Sequence, residues 1–356
     1  MGRYRWALLG LGALIVASLL ISTRLAPASQ TAHPNPSDGA GADAAAELIP
    51  DSDRPDAPDL VGIDAWLNSA PLQLSQLRGT VVLVDFWTFS CVNCTRTIPH
   101  LRTLYDTYHN RGFTIIGVHS PEFDFEKVVA NVGDAVGRLG VSWPVAVDSE
   151  MRTWSAFGNR YWPAEYLIDQ RGRIAYTHVG EGDYDVSAAA VAALLGTAPA
   201  PAQSGSPEAS SVISPELYAG SDRGRLDAGE EYGAAGQVVA YPGGVPRDGN
   251  ALRLAGPWID RGQNLESAGE ATVQLRFTAR TLFIVAGPRV PKTARIAVRL
   301  DGAEVPVALR GPGWDTAGVG LSRTDLVQLL ALPAVGTHVI ELSVPSGIDL
   351  FTFTFG

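Results

Sequence analysis

Continuous apolar runs alternate with helical patterns between residues 58 and 198. The runs Val81–Phe86 (VVLVDF) and Phe113–Val118 (FTIIGV) are typical of strands that are buried on both faces of a sheet. Helices are predicted over Thr95–His109 and Phe125–Leu139, one after each strand. This alternation predicts an α/β domain built around a central sheet.

The same region ends with a hairpin and a helix. A short strand is predicted over Pro144–Val147, and the strands Ala164–Ile168 and Arg173–Thr177 flank a turn. The Ala-rich stretch Val186–Leu195 is predicted to be the last helix, with Asp185 as its N-cap. An antiparallel hairpin beside parallel strands makes the predicted sheet a mixed one.

Beyond residue 213, apolar and polar residues alternate with a period of two, and Gly and Pro separate the runs. The turn Asp301-Gly302 is typical of a tight hairpin. Many short strands with such turns predict an all-β sandwich or jelly roll over 213–356. The predicted strands are Val273–Phe277, Ile296–Leu300, Val305–Leu309, His338–Val344 and Leu350–Phe355.

The stretch Trp6–Ser22 contains no charged residue and follows Arg3 and Arg5. About 17–25 apolar residues are needed for a helix to cross a bilayer, so residues 1–24 are predicted to be a membrane anchor. The basic flank favours an N-terminus inside the cell and a catalytic domain on the extracytoplasmic side of a bacterial membrane. Cleavage near Ala26-Pro27-Ala28, as in a signal peptide, would instead give a secreted protein.

Two stretches of low apolar content divide the chain. Residues 25–57 are rich in Ala, Pro, Ser and Asp and are predicted to be a disordered acidic linker. Residues 199–212 are predicted to be a second linker, because Pro, Ala and Ser favour a semi-extended spacer. The predicted domains are therefore an α/β domain at 58–198 and a β domain at 213–356.

Charge and cysteine content narrow the possible functions. The chain has 356 residues and a net charge of −10, without a long Lys/Arg run, so nucleic acid is not an expected partner. Its two cysteines, Cys91 and Cys94, form a C-x-x-C. Structural disulfides would be spread along the chain and a zinc site needs about four ligands, so this pair is best interpreted as redox-active.

The location of the C-x-x-C explains how it would react. It lies between a buried strand and the helix that follows, and a helix N-terminus stabilises an anion such as a thiolate. The first cysteine of such a turn is the exposed one, so Cys91 is the predicted nucleophile. Cys94 would then attack the mixed disulfide and release the product.

Three further features stand out from their surroundings. Asp85 interrupts an apolar strand six residues before Cys91, so desolvation is expected to raise its pKa and let it relay a proton to or from Cys94. A strand-end Asp that reaches solvent is the alternative. Pro99 falls within the predicted helix, and Trp162-Pro163 precedes a predicted strand and is a candidate cis peptide.

These features together resemble the thioredoxin superfamily. The resemblance extends over about residues 58–196 and is greatest to the TlpA/ResA branch and to the C-terminal portion of DipZ-type proteins. It continues more weakly through the β region. The stretches that carry it are VDFW (Val84–Trp87), the C-x-x-C, Pro99, GVHSPEF (Gly117–Phe123), NRYWPAEYLID (Asn159–Asp169) and GEGDY (Gly180–Tyr184).

The resemblance implies a thioredoxin fold with an extra central helix and strand at about 125–147, followed by a carbohydrate-binding-module-like domain. It implies a redox-active Cys91–Cys94 disulfide with no other cofactor or metal, and Asp85 as the buried acid. It also implies a cis Pro163, with Trp162 offering its backbone to the substrate. Glu122 and Glu126 are candidate modulators of the active-site field.

Some positions depart from the usual pattern of the superfamily. Ser90 replaces the aromatic residue that often precedes the first cysteine, and Val92 and Asn93 stand between the cysteines in place of Gly-Pro. Such positions tune redox potential and substrate contact, so the direction of electron flow does not follow from the resemblance. A reductant or isomerase acting on protein disulfides is expected, and a reductant would need a separate membrane electron donor of the CcdA/DsbD type.

Two other functions are compatible with the sequence. Thr88 stands three residues before Cys91, as in peroxiredoxins, but Val84 occupies the place of their proline, so a thiol peroxidase is the nearest rival enzyme. A cell-envelope protein that binds glycan or a partner through residues 213–356 is the other alternative. Trp258 and Trp314 are candidates for stacking on sugar rings, with core packing as their alternative, and His119 is expected to be structural.

Overall fold

The computed structural model describes residues 48–200, 213–227, 229–290, 292–316 and 318–356. The predicted membrane anchor, and most of both predicted linkers, lie outside these ranges. Within them, no helix combines the length and the apolar character that a bilayer crossing requires.

The α/β region is built on a mixed sheet of six strands in the order β1-β4-β3-β2-β5-β6. The three central strands β4, β3 and β2 are parallel, and the other pairs are antiparallel. The predicted thioredoxin-like fold is thereby confirmed. The elements are β1 Ala65–Leu67, β2 Val81–Trp87, α1 Val92–Tyr108, β3 Phe113–His119, α2 Val129–Leu139, β4 Val145–Val147, α3 Arg152–Ala156, β5 Ala164–Ile168, β6 Ile174–Val179 and α4 Tyr184–Leu195.

The central strand β2 contributes to two hydrophobic cores because its side chains alternate between the faces of the sheet. Val81 and Leu83 pack with residues of α1 and α4, such as Leu101 and Val191. Val82, Val84 and Phe86 pack on the opposite face. Every residue of β2 is buried, as its near-continuous apolar sequence predicts.

The C-terminal region forms a hydrogen-bonded sheet of eleven strands in the described residues, and the predicted β-rich region is confirmed. The long strand β11 pairs with β9 near its start and with β17 near its end, while β16 runs beside both halves. The strands are β7 Leu217–Tyr218, β8 Val238–Pro242, β9 Arg253–Asp260, β10 Leu265–Ser267, β11 Ala271–Pro288, β12 Ala294–Leu300, β13 Ala303–Glu304, β14 Trp314–Asp315, β15 Gly318–Leu321, β16 Asp325–Val344 and β17 Ile348–Phe355.

The predicted return strand Val305–Leu309 is wrong. The tight turn at Asp301 and Gly302 forms with positive φ angles at both residues, but strand β13 after it covers only two residues. The chain then enters a 3-10 turn at Val307–Leu309. Pro306 gives a physical reason, because proline has no N–H to donate to a strand ladder.

The last part of the predicted acidic linker is ordered. Ile49 N donates to Ala175 O at 2.8 Å, so residues 48–57 lie along the edge of the six-stranded sheet. Arg54 pairs with the buried Asp169 at 3.1 Å. The prediction of disorder is therefore wrong for residues 48–57, because their charges find partners on the folded domain.

Two predicted helix starts also change. The last helix begins at Tyr184 with Asp183 as its N-cap residue, and Asp185 lies in its first turn. The predicted helix Phe125–Leu139 divides into a 3-10 turn, Asp124–Lys127, and α2, with Val128 in an extended conformation between them.

An aromatic cluster joins the two sheets within one compact unit. Phe123 and Phe125, from the loop after β3, pack against Phe351 of β17 with ring centroids 5.1 and 4.8 Å apart. Arg138 of α2 pairs with Asp325 of β16 at 2.5 Å. The β-rich region therefore contacts the segment that leads out of the central strand β3.

The variant Phe351→Ala tests how much this cluster stabilises the fold. Removing a buried aromatic side chain leaves a cavity and is expected to lower the free energy of unfolding by about 3–5 kcal/mol. Urea unfolding measures the change. Val307→Ala is the control, because Val307 is 77% exposed and its loss should alter stability by less than about 0.5 kcal/mol. A loss below about 1 kcal/mol for Phe351→Ala would contradict a stabilising role for the cluster.

Candidate active site

Both cysteines lie at the start of α1. Cys91 is the N-cap residue and is half-buried, and its Sγ accepts a hydrogen bond from the N–H of Cys94 at 3.4 Å. Cys94 is buried, and both thiols are free. Burial raises the pKa of Cys94 well above its usual value, and a hydrogen bond with Cys91 and the charge of Asp85 add to the rise. The geometry thus leaves Cys91 accessible and keeps Cys94 protonated behind it.

Asp85 lies within β2 and is 3% exposed, so the predicted burial is confirmed. Burial raises the pKa of Asp85 well above its usual value, and the charge of Glu165 on the neighbouring strand raises it further. Its Oδ1 has no hydrogen-bond partner among the described residues. A carboxyl group in this state is suited to exchanging a proton with a nearby thiol.

Glu126 is a buried acceptor for the residue that precedes Cys91. Its Oε1 accepts hydrogen bonds from Ser90 Oγ at 2.5 Å and Ser90 N at 3.4 Å. Its Oε2 accepts from the N–H groups of Glu122 at 2.6 Å and Phe123 at 3.0 Å. Burial raises the pKa of Glu126, and the hydrogen bond from Ser90 offsets part of the rise. Glu126 therefore ties the active-site turn to the loop that follows β3.

The Trp162–Pro163 peptide bond is cis, as predicted. Trp162 Nε1 donates to Ser120 O at 3.0 Å, and the indole packs against Trp154 with ring centroids 4.2 Å apart. Trp162 is half-buried and Pro163 is buried. These contacts hold the loop before β5 against the end of β3.

Three other residues singled out in the sequence lie in α1. Val92, a predicted substrate-binding residue, is 1% exposed and packs inside the first turn of α1, so its side chain is not available to substrate. Asn93 is half-buried in the same turn. Pro99 lies within α1, which continues through it to Tyr108.

Glu122 connects the site to the β-rich region. Its Oε1 accepts from Tyr218 Oη at 2.8 Å and from Arg223 at 2.7 Å. Tyr218 Oη also lies 3.0 Å from Oε2 of Glu216. Burial raises the pKa of Glu216 to about 7, and the charge of Glu122 contributes. Glu122 therefore takes part in an ion-pair network between the two sheets.

The histidine expected to be structural and the two tryptophans considered for sugar binding are buried or half-buried. His119 packs against Phe89 and Trp87, and burial lowers its pKa to about 3, which fits the structural role expected for it. Trp258 lies in the core of the β-rich region, so sugar stacking by Trp258 is ruled out. Trp314 is half-buried, with Arg310 over its ring at 4.9 Å.

Glu165 was not recognised from the sequence, although a signal was present. It interrupts the apolar strand AEYLI much as Asp85 interrupts VVLVDFW. Burial raises its pKa to about 7. The contact between Ser90 and Glu126 carried no comparable signal, because the two residues are far apart in sequence.

Comparisons with known families agree with this geometry. Residues 52–194 match the family described as Redoxin, and residues 214–356 match the family described as Thioredoxin like C-terminal domain. Together with the mixed sheet and the C-x-x-C at a helix start, these matches identify a thioredoxin-like domain at residues 52–194 and a β-rich domain at residues 214–356. The predicted resemblance to the thioredoxin superfamily is confirmed.

Two individual relatives show which branch of the thioredoxin superfamily this chain is similar to. Protein DipZ of Mycobacterium tuberculosis is 37% identical over 317 residues, which cover 84% of this chain and 43% of that protein. The chain thus spans less than half the length of this relative. Thiol-disulfide oxidoreductase ResA of Halalkalibacterium halodurans is 32% identical over 116 residues, covering 32% of this chain and 62% of that protein. The predicted similarity to DipZ-type and ResA-type proteins is confirmed.

One solved structure is similar to part of this chain. A thioredoxin-like protein in its oxidized form is 27% identical, with a TM-score of 0.38. The match covers 40% of this chain and 96% of that protein.

The variant Glu126→Gln tests the role of the buried acceptor. A carboxylate accepts all four donors that converge on Glu126, whereas the amide group of Gln directs N–H groups at some of them. We expect unfolding to become easier by about 1–3 kcal/mol, because buried donors lose their acceptor. Thermal or urea unfolding measures this. Glu150→Gln is the matched control, since Glu150 is exposed. Equal stability of the two variants would refute the role assigned to Glu126.

Proposed function

We propose that this chain is a thiol–disulfide oxidoreductase that exchanges electrons with protein disulfides through Cys91 and Cys94. The observation that carries the proposal is the pairing of an accessible Cys91 at the N-cap of α1 with a buried, protonated Cys94. The thiolate of Cys91 attacks a substrate disulfide, and one substrate sulfur leaves as a thiolate. Cys94 then attacks Cys91 Sγ in the mixed disulfide, which oxidises the pair and releases the reduced substrate.

Asp85 acts in the second step. Cys94 must lose its proton before its sulfur can attack, and the low polarity of its surroundings opposes that loss. The carboxylate of Asp85 accepts this proton. General base catalysis of this kind typically contributes about 10²–10⁴-fold to a rate.

Substrate binds beside Cys91 in this proposal. The backbone at the cis Trp162–Pro163 bond offers polar groups to an extended peptide, and the half-buried Asn93 lies in the turn that carries Cys91. The support is the rigid attachment of this loop through Trp162 to Ser120 and Trp154. Trp162 contributes its backbone to this contact, because its indole is held by Ser120 and Trp154.

We place the protein at the bacterial cell membrane, with residues 48–356 on the extracytoplasmic side. The apolar stretch Trp6–Ser22 after Arg3 and Arg5 supports this. The activity that we favour there is reduction or isomerisation of protein disulfides, by analogy with the TlpA/ResA branch that the sequence resembles. A reductant in this location needs a separate membrane donor of the CcdA/DsbD type to reduce Cys91 and Cys94 again.

Two alternative functions receive less support. For a peroxidase, Thr88 would assist Cys91, but Thr88 is buried and its Oγ1 lies 3.3 Å from Nε2 of His119. For a glycan-binding protein, exposed aromatic faces would be needed, and Trp258 is buried while Arg310 covers Trp314. The dithiol mechanism gives a role to the buried Cys94 and Asp85, whereas neither alternative explains their burial.

The variant Cys94→Ser tests the exchange mechanism. Without the resolving thiol, Cys91 should remain joined to its substrates, so extracytoplasmic proteins should be captured as mixed disulfides that dithiothreitol releases. Non-reducing electrophoresis and mass spectrometry identify them. The matched control Cys91→Ser should capture none. Failure of Cys94→Ser to capture any protein that Cys91→Ser does not also retain would overturn the proposed function.

The redox potential tests the proposed direction of electron flow. We expect a value nearer to ~−270 mV, as in thioredoxin, than to ~−120 mV, as in strong oxidants. Residues 48–356 are equilibrated with glutathione redox buffers, and quantification of the free thiols then gives the redox potential. A value near the oxidising end would contradict a reductant role and leave the exchange chemistry intact.

A further inference from the structure

Three ionisable side chains form a row across the six-stranded sheet. Asp85 of β2 is the direct partner of Glu165 of β5, and Glu165 is the direct partner of His178 of β6. Side chains at such facing positions have Cβ atoms about 4.5–5.5 Å apart. The row therefore runs without interruption from the strand next to the cysteines to the edge strand β6.

The row lies on the face of the sheet that α1 and α4 cover. Leu83, Leu167 and Tyr176 each lie two positions from a member of the row, so they share its face, and all three pack in the core cluster that contains Cys94. Asp85 and Glu165 are 3% and 2% exposed. His178 is half-buried on the edge strand. One end of the row is thus next to Cys94 and the other is near solvent.

Each member of the row has a buried polar atom that remains unused. Within the described ranges, Asp85 Oδ1, Glu165 Oε2 and His178 Nε2 have no hydrogen-bond partner. Buried polar atoms are nearly always bonded in folded proteins, because leaving them unpaired costs free energy. Three such atoms on adjacent strands are therefore an arrangement that stability alone would not favour.

Other ionisable groups face the row from the two covering helices. Cys94 and His100 face it from α1, and Tyr184 faces it from α4. Burial lowers the pKa of His100 to about 4, with a further contribution from His178, and burial raises the pKa of Tyr184. His100 and Tyr184 are thus neutral near pH 7. Burial raises the pKa of Glu165 to about 7, so this group can take up and release a proton there.

We propose that Glu165 and His178 conduct the proton that Asp85 takes from Cys94 across the sheet to solvent. The inference rests on the proposed function. Cys94 gives its proton to the Asp85 carboxylate, and its sulfur forms a bond to Cys91 as the substrate sulfur leaves with the electron pair. Asp85 passes the proton to Glu165, Glu165 passes it to His178, and His178 releases it. Asp85 is then ionised again for the next cycle, and the route works in reverse when the disulfide is reduced.

Glu165 and His178 do not contact the reacting sulfur atoms, so they are positioning residues that act through Asp85. The variant Glu165→Gln keeps the shape of the side chain and removes its charge. Ionised Glu165 raises the pKa of Asp85, and therefore the pH at which Asp85 becomes an effective base should fall in the variant. We expect the inflection in the rate of mixed-disulfide resolution to move to lower pH by about one unit.

The measurement uses reduced protein mixed with oxidised glutathione. Acid quenching and mass spectrometry follow the mixed disulfide at Cys91 and its conversion to the Cys91–Cys94 disulfide between pH 5 and pH 9. Tyr166→Phe is the matched control, because Tyr166 lies next to Glu165 on β5 but packs on the opposite face. Its inflection should coincide with that of the unaltered protein.

A second variant keeps the inference testable if Glu165→Gln does not fold. His178→Ala removes a half-buried side chain near the sheet edge, and its resolution step should be slower. Free imidazole in the medium should restore the rate, since it can take the proton in place of His178. Thr177→Ala, at the exposed neighbouring position, should show neither effect.

The possible outcomes separate the two proposals. An unchanged inflection in Glu165→Gln, or a rate that falls equally at every pH without imidazole rescue in His178→Ala, would overturn the proton route. If the unaltered protein formed neither the mixed disulfide nor the Cys91–Cys94 disulfide at any pH, the proposed function itself would fail.

Discussion

The chemistry proposed for this chain depends on the burial of a carboxyl group beside a buried thiol. Asp85 lies within a central strand, and burial raises its pKa together with that of Cys94. In water both pKa values would be ordinary and the two protonation states would not be coupled, so the two groups would not exchange a proton effectively. The sheet creates the coupling, because β2 is covered on both faces and its one polar side chain cannot reach solvent.

The same constraint explains the second buried carboxylate near the cysteines. Glu126 is surrounded by four donors from Ser90, Glu122 and Phe123, which makes burial of its charge tolerable. Those contacts bring the turn before Cys91 and the loop after β3 into one rigid unit. Phe123 and Glu122 extend the unit to the β-rich region through Phe351 and Arg223. The β-rich region thus supports the loops around the cysteines.

Part of this arrangement could be predicted and part could not. The strands of the α/β region were predictable because a near-continuous apolar run such as VVLVDF is typical of a strand in a sheet that is covered on both faces. Asp85 was predictable for the same reason, and Glu165 carried the same signal in β5. Val92 was predicted to bind substrate from its position between the two cysteines, and that position does not reveal that its side chain faces inward. The order of residues 48–57 was missed because their charges look solvated until Asp169 and Arg173 are brought opposite them.

The sequence by itself determined the class of fold, the position of the C-x-x-C pair and the presence of a buried acid. These follow from local properties: apolar periodicity, the spacing of Cys91 and Cys94, and one charge within an apolar strand. Only the tertiary structure decided that Asp85, Glu165 and His178 occupy one row and that Glu126 holds Ser90. The physical reason is that strand order and register bring Asp85 and Glu165 together from distant parts of the chain, and no local pattern encodes which strands become neighbours.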